Sequence, residues 1–436
     1  MLETPPSLIY DLDFKSLFGD AIFFKAVQKT NAEYLYWDKA KYLPLPAGRT
    51  HAELWTGARL LRQAQERLIF TPFGKFTVTV TPEIQQQLHQ MDLHFGGRIS
   101  SNAPFKLADK ERYLSSSLME EAIASSLMEG AATTRKKAKE LLEKNLPPAS
   151  TADRMIINNY RTIQLVIELK DTPLSEALLL RVHRSMTQGT LELHSQEGAI
   201  RQDDEVVVFD HDAQEVAHMP PSHTLLPVAL AWLYRFFNDE GEEEFIHPII
   251  RAGIIHFMIG YLHPFADGNG RTARALMYWY LLRKGYWLTE YLAISRVILR
   301  SKRQYEKAYL YSEQDQNDLT YFIQYLLRAA GIAYRELIDY IQRTKEKRRI
   351  EHLIVQLPGI NQRQSAVLAE LLHEPESIFT VAAVQRKFGV SEPTARADLE
   401  NLVKSGWMQS LALNGKKRGY SATSNLNNRL QKALEN

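Results

Sequence analysis

Apolar residues at helical spacing dominate the sequence between Glu111 and Arg343, and they constrain the fold more than any other feature. A helix with this pattern buries one face against another element. A first series, recurring every three or four residues, consists of Ile156, Tyr160, Ile163 and Ile167. A second apolar series comprises Ile249, Ile254, Met258, Leu276, Trp279 and Tyr280. The sequence therefore predicts a mainly α fold built around a helical bundle.

Two segments break the helical pattern and predict β-hairpins. In FTPFGKFTVTVTP, residues 70–82, β-rich runs flank Gly74. In EVVVFDHDAQEVAHMPP, residues 205–221, β-branched residues alternate on both sides of a polar turn at residues 210–214. We expect the first hairpin in an accessory region or lid, and the second inside the helical bundle.

A chain of 436 residues is long for one domain, so two or three domains are expected. We place an N-terminal accessory region at residues 1–110, a helical core at 111–345 and a third domain at 346–436. The charged stretch RTKEKRRIEHL, residues 343–353, indicates a helix that leads out of the core. The break after it should fall near residues 357–359.

Composition excludes several classes of protein. The formal net charge of +2 gives no global argument for binding nucleic acid or an acidic membrane surface. The absence of cysteine excludes disulfides, thiolate metal sites and cysteine nucleophiles. The N-terminal sequence lacks the features of a secretory signal, and no apolar run reaches the ~18 residues of a membrane span. We therefore expect no membrane partner and a cytoplasmic location.

The dodecamer HPFADGNGRTAR, residues 263–274, carries the densest chemistry in the chain. Pro264 must end the helical pattern before it. Gly268 and Gly270 allow a tight loop whose backbone N–H groups point one way, which is a nest for anions. The helical pattern RTARALMYWYLL follows directly, so this loop opens onto the positive end of a helix dipole.

The charged residues of the dodecamer suit a nucleotide phosphate. Arg271 and Arg274 share a helix face; they are either a solvated pair or a polyphosphate site, and cations at a helix N-terminus favour the second because they need an anion. Asp267 either neutralises them or holds Mg²⁺ bound to phosphate oxygens. His263 is either structural or a general base, since a neutral imidazole accepts a proton from a hydroxyl.

The dodecamer resembles the Fic family (filamentation induced by cyclic AMP), whose motif HPFxDGNGRxxR it matches at every fixed position. The resemblance implies an all-helical core with a hairpin flap. It also implies transfer of a nucleoside monophosphate, usually AMP from ATP, to a Ser, Thr or Tyr hydroxyl of a protein. Pyrophosphate is then the leaving group.

The resemblance implies roles for individual residues. His263 corresponds to the general base and Asp267 to the Mg²⁺ ligand. The residues that correspond to nucleotide contacts are Gly268, Asn269, Gly270, Arg271 and Arg274. Gly270 favours AMP transfer, because a phosphorylating subgroup has lysine at this position.

Two further segments resemble parts of the Fic family. The hairpin at residues 205–221 resembles the flap, whose edge pairs with the target backbone as an added strand. The alternative is an ordinary surface hairpin. The segment at residues 295–309 resembles the wall of the adenine pocket, with Tyr305 as its aromatic residue, although its spacing departs from the family pattern.

A glutamate upstream predicts autoinhibition. Met119, Ile123 and Leu127 indicate a helix that Gly130 ends, which leaves Glu129 at a helix C-terminus, where the dipole disfavours a carboxylate. The sequence from Ser125 to Gly130 resembles the Fic inhibitory motif [S/T]xxxE[G/N] of the N-terminally inhibited class. In that class the glutamate pairs with the second arginine, here Arg274. The alternative is an incidental surface glutamate.

The last 75 residues resemble a winged helix-turn-helix. Its predicted helices are RQSAVLAELL, TVAAVQRKFG and SEPTARADLENLVKSG, followed by the hairpin WMQSLALNGKKRGYSA. Ser391 caps the third helix, Gly389 suits the turn before it, and Asn414-Gly415 suits a hairpin turn. A DNA-binding function would use Arg396 and the basic hairpin, but Glu392 lies where a phosphate should be. Docking of a protein or a structural role is the other possibility.

An autoinhibited protein adenylyltransferase is the function that the sequence favours. The alternatives are a DNA-binding regulator with a nucleotide-sensing Fic core, and a Fic enzyme that uses another donor or removes AMP. A sensor has no use for a base, so His263 argues against the regulator. His247 and His256 could suggest zinc with His263, but their apolar helical context favours structural roles. A homodimer is compatible with the sequence.

Overall fold

The computed structural model divides into two units, Met1–Leu337 and Ile338–Asn436. The residues that it describes are 2–9, 19–96, 110–210, 214–241, 244–357, 359–374, 376–414, 417–426 and 429. The predicted boundary at residue 110 adjoins residues outside the described part, and residue 358 of the predicted break at 357–359 itself lies outside it. The three-domain division stays a prediction.

Helices make up most of the first unit, which confirms the predicted mainly α class. They are α1 (Ala21–Ala32), α2 (Trp37–Ala40), α3 (His51–Gln63), α4 (Pro82–Phe95), α5 (Lys110–Met128), α6 (Arg135–Glu143), α7 (Thr151–Glu168), α8 (Glu176–Thr187), α9 (Leu226–Phe237), α10 (Pro248–Leu262), α11 (Asn269–Arg283), α12 (Ile294–Arg300) and α13 (Lys302–Gln314). Helix α14 (Thr320–Gln356) starts here and continues beyond Leu337. Short 3₁₀ turns lie at His194–Gln196, His223–Leu225 and Trp287–Tyr291.

Helices α10 and α11 form the centre of this unit. Both are buried around most of their circumference, as expected for helices that the other elements of the unit enclose. Ile254, Met258, Leu276 and Trp279 are fully buried, as the apolar periodicity predicts. Ile156 of α7 is also fully buried, where it packs against Ile123 of α5. The loop between α10 and α11 is therefore supported by two buried helices.

Two antiparallel hairpins accompany the helices, as predicted. Strands β1 (Arg67–Thr71) and β2 (Gly74–Val78) pair in regular register. Strands β3 (Val208–Asp210) and β4 (Glu215–His218) pair with an irregularity between Val208 and Phe209. The predicted turn of the second hairpin includes residues 211–213, which lie outside the described residues.

The second unit contains three helices and a hairpin among its described residues, besides the end of α14. They are α15 (Gln362–His373), α16 (Val381–Phe388), α17 (Glu392–Lys404), β5 (Met408–Asn414) and β6 (Lys417–Ala422). Ser391 caps α17 by accepting a hydrogen bond from Thr394 N–H, and Gly389 has a φ of 64°. Residues 415 and 416 of the predicted hairpin turn are outside the described part. Leu368, Leu399 and Tyr420 belong to one buried core.

Candidate active site

The loop between α10 and α11 has a fixed backbone. His263 ends α10 with φ 45° and ψ 57°, a left-handed conformation that is uncommon for a residue other than glycine. Gly268, with φ 84°, precedes α11. The buried Asn269 side chain spans the turn: its Oδ1 accepts from Phe265 N–H at 3.0 Å, and its Nδ2 donates to Phe265 O at 2.8 Å. Asn269 therefore shapes the loop with its side chain, a role that the motif alone does not indicate.

Two residues outside the dodecamer, Arg201 and His183, hold this loop by hydrogen bonds to its backbone. The buried Arg201 donates from Nε to His263 O at 2.9 Å, and its backbone N–H donates to Pro264 O at 2.9 Å. His183 accepts from Gly198 N–H at its Nδ1, so its Nε2–H is the donor to Asp267 O at 2.8 Å. Burial lowers the pKa of His183 to about 4, which keeps it neutral. Neither Arg201 nor His183 belongs to a motif that could be recognised in the sequence.

The imidazole of His263 is arranged as a proton acceptor. Its Nδ1 lies 3.1 Å from Gly260 O, and a carbonyl can only accept, so Nδ1 carries the hydrogen. Burial lowers the pKa of His263 below its ordinary value. In the neutral tautomer that results, Nε2 has a free lone pair. A base at neutral pH needs this state.

Arg271 lies entirely inside the protein at the first turn of α11. Its side chain has no exposed surface, and its Nη1 donates to Met186 O at 3.4 Å. Its Nη2 lies 3.3 Å from Oδ2 of Asp267. The Asp267 side chain remains 55% exposed, and its Oδ1 accepts from Gly268 N–H at 2.5 Å. The site thus combines an accessible carboxylate, that of Asp267, with a buried cation, that of Arg271.

Arg274 is paired with the helix that precedes the core. Its Nη2 donates to Oε1 of Glu129 at 2.9 Å, and its Nε donates to Oγ of Ser125 at 2.9 Å. Burial opposes the charge of Arg274, yet Glu129 more than compensates, so the pKa of Arg274 is raised. Burial likewise opposes the charge of Glu129, but Arg274 and then Arg271 hold its pKa below its usual range. Nη1 of Arg274 is buried and has no hydrogen-bond partner within the described part of the chain.

Glu129 also lies against the loop itself. Helix α5 ends at Met128, and Gly130 has a φ of 90°, as expected for a C-terminal stop. A Cβ atom added at Gly270 would clash with Oε1 of Glu129. The carboxylate therefore fills the space directly in front of the N-terminus of α11, where a bound anion would lie.

Glu121 also attaches α5 to the rest of the unit, besides Ser125 and Glu129, and no motif in the sequence indicates this role. Glu121, Ser125 and Glu129 are four residues apart and so share one face of the helix. The buried Glu121 accepts from Ser295 N–H at 2.8 Å, at the start of α12. Burial raises the pKa of Glu121. Glu121 thereby ties α5 to the core on the side that carries Ser125 and Glu129.

Tyr305 is close to the site but belongs to an aromatic cluster. Its hydroxyl lies 2.9 Å from Nε2 of His256, which is fully buried. Its ring centroid is 5.2 Å from that of Tyr309 and 5.9 Å from that of Phe322. The electrostatic influence of Arg274 reaches Tyr305, although burial dominates and raises the pKa of its hydroxyl. The predicted adenine contact at Tyr305 stays a prediction.

The second hairpin stands beside the end of α10. Val207, Phe209 and Val216 are 40% or more exposed. His218, at the end of β4, contacts Tyr261 O, two residues before His263. We name strands β3 (Val208–Asp210) and β4 (Glu215–His218) together the flap.

Two features are absent from the described part of the chain, a cluster of metal-binding side chains and a membrane-spanning helix. That part contains no group of three or more His, Asp or Glu side chains arranged to hold a metal ion. Within the same residues, no helix is both long enough and apolar enough to cross a membrane.

Comparison with known proteins supports the resemblance in the core. Residues 173–281 match the model of the Fic/DOC family. The chain is 33% identical over 114 residues to "Protein adenylyltransferase Fic" from Nematostella vectensis, which is 26% of this chain and 24% of that protein. It is 28% identical over 156 residues to the protein of the same name from Drosophila grimshawi, which is 35% of this chain and 29% of that protein. The matched part is thus less than a third of either relative.

The fold also resembles a solved structure. A crystal structure of a Fic family protein from Desulfovibrio desulfuricans G20 matches with a TM-score of 0.50 at 20% identity. The match covers 79% of this chain and 97% of that one. The family model therefore supports a Fic/DOC domain at residues 173–281, and the structural match supports the same fold.

Proposed function

We propose that the protein is an adenylyltransferase that moves AMP from ATP to a hydroxyl side chain of a protein target. One observation carries the proposal: the free Nε2 of His263 lies at the rim of a helix N-terminus that has two buried arginines, Arg271 and Arg274. Buried cations at that end of a helix need an anion. A polyphosphate supplies it, and the base stands beside it.

The reaction follows from these positions. The target hydroxyl gives its proton to Nε2 of His263 while its oxygen bonds to the α-phosphorus of ATP. The bond from the α-phosphorus to the bridging oxygen breaks, and pyrophosphate leaves with the electron pair. Arg271, Arg274 and the backbone amides of Asn269 and Gly270 stabilise the negative charge on the phosphates. Catalysis depends mainly on this positioning, because phosphoryl groups require little covalent help from a protein.

Asp267 fits the part of a Mg²⁺ ligand. Its carboxylate is accessible at the rim, and Mg²⁺ is usually held by one or two carboxylates together with substrate phosphates. A bound ion would offset phosphate charge. The carboxylate also accepts the Gly268 amide, which fixes its direction.

Glu129 is proposed as a brake on this reaction. Its 2.9 Å contact with Arg274 occupies the cation that would bind the γ-phosphate. Its carboxylate also crowds the front of α11, so ATP bound there would lie in a position unsuited to in-line attack. The resting enzyme is slow for both reasons.

The test uses the Glu129→Gly variant with ATP and a host lysate. Mass spectrometry should find AMP attached to Ser, Thr or Tyr side chains, as expected when pyrophosphate leaves ATP. Adducts should increase severalfold over the unchanged protein, and His263→Ala should abolish them. A different mass would identify another donor, and loss of pre-existing AMP would identify the reverse reaction. A well-folded Glu129→Gly protein that modifies nothing would refute the transferase proposal.

For the second unit, we propose a winged helix-turn-helix that docks the enzyme on a partner. Arg396 and Glu392 are paired at 2.8 Å on the exposed start of α17, which weakens the case for a DNA-reading helix. Lys417 and Arg418 are exposed on the hairpin and keep that case testable. A gel-shift assay against genomic fragments decides: a salt-sensitive shift favours DNA, and its absence favours a protein partner.

A further inference from the structure

His218 connects the flap to the helix that carries His263. Its Nε2 lies 2.8 Å from Tyr261 O, and its Nδ1 lies 2.8 Å from Oε2 of Glu313 on α13. A carbonyl and a carboxylate only accept, so both ring nitrogens must donate. Both bonds therefore exist together only when His218 is an imidazolium. The side chains of His218 and Glu313 are 10% and 19% exposed, so water competes little for this pair.

The charged and titratable groups that face His218 come from two helices. Glu313 faces it from α13, and Tyr261 and His263 face it from α10. Burial works against the charge of His218, but the hydrogen bond and charge of Glu313 outweigh it and raise its pKa. At His263 burial is the main influence, and the positive charge of His218 acts in the same direction and lowers the pKa of the base.

Tyr261 of α10 contacts both the flap and the first hairpin. Its ring centroid lies 5.2 Å from that of His218, and 5.2 Å from that of Phe76 in the first hairpin. Phe73 of the same hairpin stacks on Tyr261 at 6.2 Å. A two-stranded hairpin such as the flap is marginally stable by itself. Its position must therefore come from contacts such as that of His218.

We propose that His218 is a positioning residue: its imidazolium fastens the flap to the end of α10, and so determines where a target strand presents its hydroxyl to His263. This inference rests on the proposed transferase function. A neutral imidazole has one N–H, so deprotonation removes the donor to either Tyr261 O or Glu313. The flap contact is complete below the ordinary histidine pKa of about 6.5 and is lost as pH rises through the raised value. Modification of protein targets should fall over that range.

A first experiment does not depend on activity. Full-length protein with ¹⁵N-labelled histidine rings is titrated by NMR, and the His218 signals are assigned by their loss in His218→Gln. We expect both ring nitrogens protonated at neutral pH and a midpoint above about 6.5. Glu313→Gln should lower that midpoint, because it removes the charge and keeps an acceptor. A midpoint at or below the ordinary value would overturn the proposal.

A second experiment measures labelled-ATP transfer to lysate proteins in the Glu129→Gly background from neutral to alkaline pH. We expect an alkaline decline that Glu313→Gln shifts toward neutral pH. His218→Gln should raise the lysate protein concentration needed for half-maximal rate by about tenfold, with the KM for ATP unchanged. The control is His194→Gln, an exposed histidine that also pairs with a glutamate, Glu197.

The outcomes separate the two proposals. If Glu129→Gly transfers no label at any pH, the transferase proposal fails, while the NMR titration still reports on His218. If transfer occurs and His218→Gln retains the pH profile and the protein-concentration dependence of its parent, His218 does not position the target.

Discussion

Helices α11 and α17 both place arginines near their N-termini, and these arginines differ in their exposure and in their pairing. At the start of α11, Arg271 and Arg274 have side chains that are 0% and 3% exposed. At the start of α17, Arg396 is 49% exposed and pairs with Glu392, which is 61% exposed and suits the helix dipole. An exposed ion pair of this kind contributes little to the stability of a protein. The two buried arginines of α11 create a positive field that favours an anion, and in the structure the carboxylate of Glu129 lies 2.9 Å from Arg274.

The largest effect is expected from truncating one arginine at each end. In the Glu129→Gly background, Arg274→Ala should lower labelled-ATP transfer by about 10²-fold, because a buried donor to the phosphates is lost. Arg396→Ala, the matched control, should leave the rate unchanged. Equal losses in the two variants would mean that burial does not distinguish the two sites.

The sequence predicted much of this contrast. The glycines, His263 and the arginines of the dodecamer adjoin one another in the chain, so their spacing was enough to indicate a loop before a helix. Glu129 was found through a short motif that resembles a known one. The structure places it against Arg274, although no local pattern specifies the contact.

What could not be predicted depends on distant residues. Arg201 and His183 support the loop from 62 and 84 positions away, and Glu121 reaches Ser295 across 174 positions. Each is an ordinary polar residue within an apolar helical pattern or a loop. Their importance arises from burial, which only the folded chain determines. The side-chain clamp of Asn269 is local, yet the motif suggested only an anion contact.

A second prediction uses pH to sharpen the comparison, because the imidazole of His263 can gain or lose its charge with pH whereas the guanidinium of Arg396 stays charged throughout. The base must be neutral, and burial lowers the pKa of His263, so Glu129→Gly should keep its activity as pH falls to the ordinary histidine value of about 6.5. Below the lowered pKa, transfer should fall about tenfold per pH unit. Rates of transfer at saturating ATP, measured on the acid side of neutrality, give the midpoint. A midpoint above about 7 would contradict a buried, neutral base.

The smallest effect concerns the packing of Glu129 against the loop. Gly270→Ala should destabilise the unchanged protein, because the new Cβ meets the Glu129 carboxylate. In the Glu129→Gly background the clash is absent, so the two substitutions should couple by about 1 kcal/mol in the free energy of unfolding by urea.

The control for this coupling is Gly331→Ala. Gly331 is also helical, but the nearest atom to an added Cβ is 3.8 Å away, at the end of the Arg335 side chain. The effect of Gly331→Ala on the free energy of unfolding should add to that of Glu129→Gly. Additivity at Gly270 as well would show that the carboxylate does not occupy the space in front of α11.

The central claim is that the loop and the first turn of α11 hold the phosphates of ATP beside the free Nε2 of His263. A crystal structure of Glu129→Gly with Mg²⁺ and a non-hydrolysable ATP analogue tests it directly. The expected result is phosphate oxygens within hydrogen-bond distance of Arg271, Arg274 and the backbone amides of Asn269 and Gly270, with the α-phosphate facing His263. A triphosphate bound in another cleft, with the arginines still enclosed by protein, would contradict it.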